Sequence, residues 1–125
     1  MSVIHFPLAD LVIGGAIEVH RALGPGLLES AYQRCLEREL TLRAVAFERQ
    51  VPLPVRYKGE AVDCSYRIDL LIQRELIVEI KSVEQLLPVH SAQAITYLKL
   101  YGARQALLLN FNVPVLKSGI KSFLA

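Results

Sequence analysis

Asp69, Glu79 and Lys81 are the residues of this 125-residue chain whose types and spacing can do chemistry. They lie on two apolar-rich stretches, 66–72 and 76–82, separated by the polar Gln73-Arg74-Glu75. That pattern reads as two strands joined by a tight turn. Side chains alternate between the faces of a strand, so Tyr66, Ile68 and Leu70 should face the core while Asp69 points away with Arg67 and Leu71. On the second strand Ile77, Glu79 and Lys81 share one face, and Val78 and Ile80 the other. A turn centred on Arg74 sets Asp69 opposite Glu79, with Cβ atoms about 5 Å apart.

Two carboxylates facing one another across a ladder repel, and a fold gains nothing by keeping them there. A divalent cation between them reverses the sign of that interaction. Magnesium and manganese suit such oxygen ligands and retain several waters. The Ile80 carbonyl, between Glu79 and Lys81, can assist Asp69 and Glu79 in holding the ion. Lys81 lies beside the same spot, where its ammonium can position a water or offset charge on a phosphate oxygen. Metal and lysine together are the apparatus of in-line phosphodiester hydrolysis. The same spacing also arises by chance on a solvated strand face with an ordinary Glu–Lys pair, so spacing alone does not decide.

The elements that must position these residues can be read from periodicity. Leu8 to Leu23 forms a helix with Leu8, Leu11, Val12, Val19 and Leu23 near one stripe. Gly14 and Gly15 weaken it unless another backbone approaches closely there. Gly24-Pro25-Gly26 stops it. A second, amphipathic helix from about Leu27 to Arg43 places Leu28, Tyr32, Leu36 and Leu40 at i, i+4 steps, with Arg34, Glu37 and Arg38 facing elsewhere. Val51 to Val55 is extended, and its two prolines suit an edge strand or bulge. Lys58-Gly59-Glu60 is a turn leading to a short segment Ala61–Cys64. Pro88 precedes a helix to about Tyr101, closed by Gly102. Ala106–Asn110 reads as a buried strand and Val113–Leu116 as another, with a short final segment to Ala125. A mixed sheet flanked by helices is the natural packing of this order.

Composition bounds the rest. The length fits one compact domain, 1–125, and 53% hydrophobic residues exclude a disordered chain. A net charge of +2 tolerates nucleic acid without demanding it. Cys35 and Cys64 match no metal or redox spacing and read as buried, reduced thiols. Met1 to Asp10 lacks the basic region and apolar core expected of a signal peptide, and no apolar run reaches the roughly 20 residues needed to span a bilayer. The expectation is therefore a cytoplasmic protein without membrane attachment.

The strings around the hairpin are specific in combination. Gly26-Leu27-Leu28-Glu29-Ser30-Ala31-Tyr32, the preceding Glu18 to Pro25, Glu48 to Val55, Pro88 to Gln93 and Asn110 to Pro114 resemble the GxxExxY protein family. That family is a compact branch of the PD-(D/E)XK nuclease superfamily, and the resemblance runs from about Leu11 to Lys121. It implies a restriction-endonuclease-like α/β fold, a mixed β-sheet flanked by helices with an αβββαβ core. It also implies Asp69 and Glu79 as metal ligands and Lys81 as the catalytic lysine. Two positions depart: Ile68 stands where the superfamily name places proline, and Asn112 where glycine is expected.

By the same resemblance Glu29 is the acidic residue of the first core helix, facing the metal directly or through water. A helix first turn favours any acid, however. Glu29 and Tyr32, as i, i+3 neighbours, can both face the active edge. Gln93 and Tyr97, one turn apart, resemble the Gln-x-x-x-Tyr step that follows the catalytic lysine in RecB-type nucleases. There it supports the site and nearby substrate. His90 can reach the rim as a phosphate or metal contact, or simply cap its helix. His20 sits near a helix end where the dipole stabilises it, and His5 carries no signal. Arg34, Arg38, Lys99, Lys117 and Lys121 default to a solvated surface.

The reading is thus a magnesium- or manganese-dependent nuclease acting on nucleic acid, with DNA favoured over RNA. Lys81, Glu29 and Gln93 form its catalytic group; Asp69, Glu79 and Ile80 its metal group; Tyr97 and His90 its substrate contacts. The alternative is a non-catalytic nucleic-acid-binding or regulatory module that keeps the fold. A chain this small offers little surface for a duplex, which a homodimer or larger partner could supply.

Overall fold

The computed structural model describes residues 6–62 and 66–125. His5, Cys64 and the end of the expected Ala61–Cys64 segment lie outside the described residues.

Leu70, Ile72, Val78, Ile80, Leu107 and Leu109 pack on one face of a sheet, and Ile68, Leu71, Ile77 and Ala106 on the other. Both faces are covered because the central strands are apolar on both sides, as strands buried between helical layers must be. The elements run α1 (Pro7–Leu23), α2 (Glu29–Leu42), β1 (Phe47–Pro52), β2 (Val55–Tyr57), β3 (Glu60–Val62), β4 (Arg67–Ile72), β5 (Leu76–Lys81), α3 (Pro88–Tyr101), β6 (Gln105–Asn110), a 3₁₀ turn (Leu116–Gly119) and β7 (Ile120–Leu124). Among the described residues five strands form one mixed sheet in the order β1-β4-β5-β6-β7, and β2 pairs only with β3. The parallel β5–β6 pair is joined through α3. This is the expected mixed sheet flanked by helices.

Helix α1 buries Ala9, Val12, Gly15, Ala16, Val19 and His20. The stripe is therefore narrower than expected: Leu11 and Leu23 are exposed. Small residues are needed because α2 crosses closely. A Cβ on Gly15 would lie 3.3 Å from Glu39 Cγ, and one on Gly14 3.1 Å from an Arg43 guanidinium nitrogen. The close approach is thus to side chains, where the sequence had pointed to backbone. His20 Nε2 lies 2.8 Å from the Val113 carbonyl oxygen, so this buried ring ties α1 to the segment after β6 and is more than a helix-end charge.

On α2 the residues Tyr32, Leu36 and Leu40 are fully buried, while Leu28 is the exposed residue preceding the helix. Tyr32 does not face the active edge beside Glu29. Its ring stacks on Phe111 at 4.5 Å, and its hydroxyl donates to the Gly24 carbonyl. Glu37, expected to face solvent with Arg34 and Arg38, is buried instead.

Val113–Leu116 is not a strand. Pro114 has no N–H to donate to a ladder, and the chain turns through the 3₁₀ segment before β7 pairs antiparallel with β6. A Cβ at Gly119 would overlap the Asn110 carbonyl, so only glycine lets this return lie so close. Helix α3 ends as expected at Gly102, in the left-handed conformation at φ 84°.

Candidate active site

The β4–β5 register is the one counted from the turn: Ile72 pairs with Leu76, Leu71 with Ile77 and Leu70 with Val78. One step further would set Asp69 opposite Glu79 and send the Ile80 N–H to the Ile68 carbonyl. The ladder does not take that step. Asp69 Oδ2 accepts the Ile80 N–H at 2.8 Å, and Glu79 Oε2 accepts the Asp69 N–H at 2.8 Å. Each carboxylate thus replaces a main-chain carbonyl, and the two strands part where the acids meet.

The same position carries a distortion of β1. Phe47 pairs with Ile72 and Val51 with Ile68, each four residues apart along its strand, which should keep them on one face. Yet Phe47 and Ile72 pack on the α1/α2 side while Val51 and Ile68 pack on the α3 side. Both strands change face between these pairs, around Gln50 and Asp69. Gln50 absorbs the change at φ 48°, a left-handed conformation uncommon for a residue with a side chain. The expectation that Ile68 and Leu70 share a core face is therefore corrected.

This kink brings two glutamines to the acidic pair. Gln50 lies close enough to the Asp69 carboxylate to favour its charged form, and it donates to Gln33 Oε1 at 3.0 Å. Gln33 donates to the Asp69 carbonyl at 3.3 Å and to buried Glu37 at 3.1 Å. Sequence reasoning missed Gln33, Gln50 and Glu37. One signal was present: Gln33 stands one helical turn after Glu29, on the same stripe of α2.

Electrostatics follow from this burial. Desolvation, and next the neighbouring Asp69 charge, push the Glu79 carboxyl from 4.5 up to about 8. Burial also raises Asp69, against the Ile80 N–H and the Lys81 ammonium, which favour its charged form. Lys81 acts on both acids as a partial counter-charge, and Glu29 adds like charge to both. Glu29 itself is exposed at the start of α2, its carboxylate accepting the Ser82 N–H at 3.2 Å. The Ser82 hydroxyl donates to the Leu27 carbonyl at 2.6 Å, so the segment after Lys81 is tied to the start of α2.

The structure therefore brings Asp69, Glu79, Ile80 and Lys81 together, with Glu29 on the rim. Tyr97 lies close enough that Glu79 and Asp69 add to the rise that burial imposes on its phenol. Gln93 stands behind it, donating to the Tyr97 hydroxyl at 3.0 Å. His90 is used elsewhere: its Nδ1 accepts the Leu87 N–H at 2.9 Å and closes the first turn of α3.

The donor set suits a hard cation. Ile80 directs its N–H toward β4, and by strand geometry its carbonyl faces the same way; Lys81 faces β6, its carbonyl accepting the Phe111 N–H. The two carboxylates lie together here, the Ile80 carbonyl is turned to the same side of β5, and all of these donors are oxygen. Among the described residues no three His, Cys, Asp or Glu side chains cluster for a metal. Any ion here would keep several waters, which magnesium and manganese do.

A mixed sheet with helices on both faces, split by two acids at one end of a hairpin, defines the restriction-endonuclease-like α/β class. The chain belongs to the PD-(D/E)XK nuclease superfamily, whose family model matches residues 7–123. No curated protein and no solved structure matched. No helix among the described residues is long and apolar enough to cross a membrane.

Proposed function

We propose that this chain is a metal-dependent nuclease that hydrolyses phosphodiester bonds, a single nuclease-like domain of the GxxExxY branch, working in the cytoplasm on DNA ahead of RNA. The reading is carried by one observation: the buried Glu79 and half-buried Asp69 carboxylates part the β4–β5 ladder and lie together beside Lys81. Withdrawing two neighbouring acids from water is costly, and their raised pKa values mark a site built for a positive partner.

Asp69, Glu79 and the Ile80 carbonyl would hold magnesium or manganese. Bound there, the ion would acidify a water and polarise the scissile phosphate. Lys81 positions the water and offsets charge building on the phosphate oxygens. Glu29 supports the rim through Ser82, and Gln93 fixes the phenol of Tyr97. His90 is a substrate contact only if its capping bond opens.

Cleavage of single-stranded, duplex and branched DNA and of RNA, with magnesium, manganese or chelator, tests this. Metal-dependent cleavage should fall about 100-fold or more in Lys81→Ala. Metal binding without Lys81-dependent cleavage would instead mark a binding or regulatory module.

A further inference from the structure

Aromatic rings are normally hidden, since each buries a large apolar area. Among the described residues the aromatic side chains left exposed are Tyr57 and Tyr66, 64% and 46% accessible. Tyr57 ends β2, and Tyr66 directly precedes β4, the strand carrying Asp69. Among the described residues the β2–β3 ribbon pairs with no other strand and buries none of its side chains fully. An isolated two-stranded ribbon contributes little to stability in water.

Tyr66 stands beside the site. Tyr66 precedes Asp69 by three residues, and its ring meets Tyr97 edge to face at 6.0 Å. Tyr97 is itself within electrostatic reach of Glu79 and Asp69. Further out, a cleft of about 340 Å³ separates the base of the ribbon from the end of α3, with Arg56 and Tyr101 among its lining residues. That cleft adjoins Tyr66, because Leu53, which lines it, donates its N–H to the Tyr66 carbonyl at 2.9 Å. On the ribbon itself the Lys58 ammonium lies 5.4 Å from the centroid of the Tyr57 ring.

We infer that this ribbon and cleft bind a single-stranded nucleic acid, with unpaired bases stacking on Tyr66 and Tyr57 and the backbone following Arg56 and Lys58 toward the acidic pair. The inference rests on the nuclease reading and names its substrate class. A duplex hides its bases, so exposed rings gain nothing from it, and gripping it takes many phosphate contacts. Here the cations are few: Glu60 sits opposite Tyr57, and the whole chain carries only +2. Stacking on open rings is the interaction this surface can offer.

The test measures binding without turnover. Fluorescence anisotropy of the full chain in chelator compares labelled single-stranded DNA, single-stranded RNA and a blunt duplex of the same sequence. Single strands should bind at least about tenfold more tightly than the duplex. Tyr66→Leu should weaken single-strand binding about tenfold, Tyr66→Trp should restore it, and duplex binding should not change. Lys58→Ala should lower the salt dependence, which Tyr66→Leu leaves alone. Thermal unfolding of each variant verifies the fold. Equal affinity for duplex and single strand, equal loss on both in Tyr66→Leu, or no binding at all would overturn the inference. Cleavage with metal is scored separately. Tyr66-dependent single-strand binding without cleavage defeats the nuclease reading alone, and duplex cleavage indifferent to Tyr66→Leu defeats the substrate class alone.

Discussion

Glu79 is held in a setting where charge is expensive until a counter-ion arrives. In the metal-free chain burial and the Asp69 charge raise its carboxyl to about 8 from 4.5, so the folded state binds this proton more tightly than the unfolded state does. A raised acid of this kind contributes stability that is complete below the unfolded value and is lost as pH rises through the folded one. Asp69, also raised, acts in the same direction. Chelated protein should therefore show a falling thermal midpoint between about pH 5 and pH 9. Glu79→Gln, neutral throughout, should flatten that slope; a midpoint that climbs over this range would contradict the assignment. The acids themselves were legible because hairpin register can be counted from Arg74. Gln33 and Gln50 were not, because they reach Asp69 across 36 and 19 positions through a kink in β1 that no alternation pattern encodes.

At the scale of elements, the segment after Lys81 is held by β6 as much as by α2. Asn110, 2% exposed, accepts the Val83 N–H at 3.0 Å and donates to the Val83 carbonyl at 2.9 Å. Asn110→Ala leaves both main-chain groups without this partner and should cost about 1–3 kcal/mol, read as a lower urea midpoint. An unchanged midpoint would mean that Ser82 alone fixes the segment. Helices α1, α2 and α3 were legible to within two residues, since 3.6-residue periodicity and the Gly102 stop are local signals. The Val113–Leu116 strand was misread because a short apolar run carries no direction. Pro114 and the tight return at Gly119 move the strand to Ile120–Leu124. The α1 stripe was drawn too wide because its contact with α2 uses glycines, which hydrophobic patterns ignore.

For the whole molecule, metal is the ligand that should move stability most. An ion held by the folded state alone, at a hundred times its dissociation constant, adds about 2.7 kcal/mol. Thermal unfolding with magnesium or manganese against chelator reads this as a raised midpoint, absent in Asp69→Ala. Each variant is compared with itself, because losing Asp69 also strips the Ile80 N–H of its acceptor. No rise in the parent chain would remove the cation from the mechanism. The mixed sheet flanked by helices was legible in the order of strands and helices, and the αβββαβ core came with the family resemblance; the location of the split was not legible. The two outer strands also bear on how copies of this chain could associate. β1 ends in Pro52, and β7 carries Lys121 as its second residue. Proline cannot donate to an added strand, and a lysine at a border discourages one. Continuing the sheet from molecule to molecule is therefore discouraged at both borders.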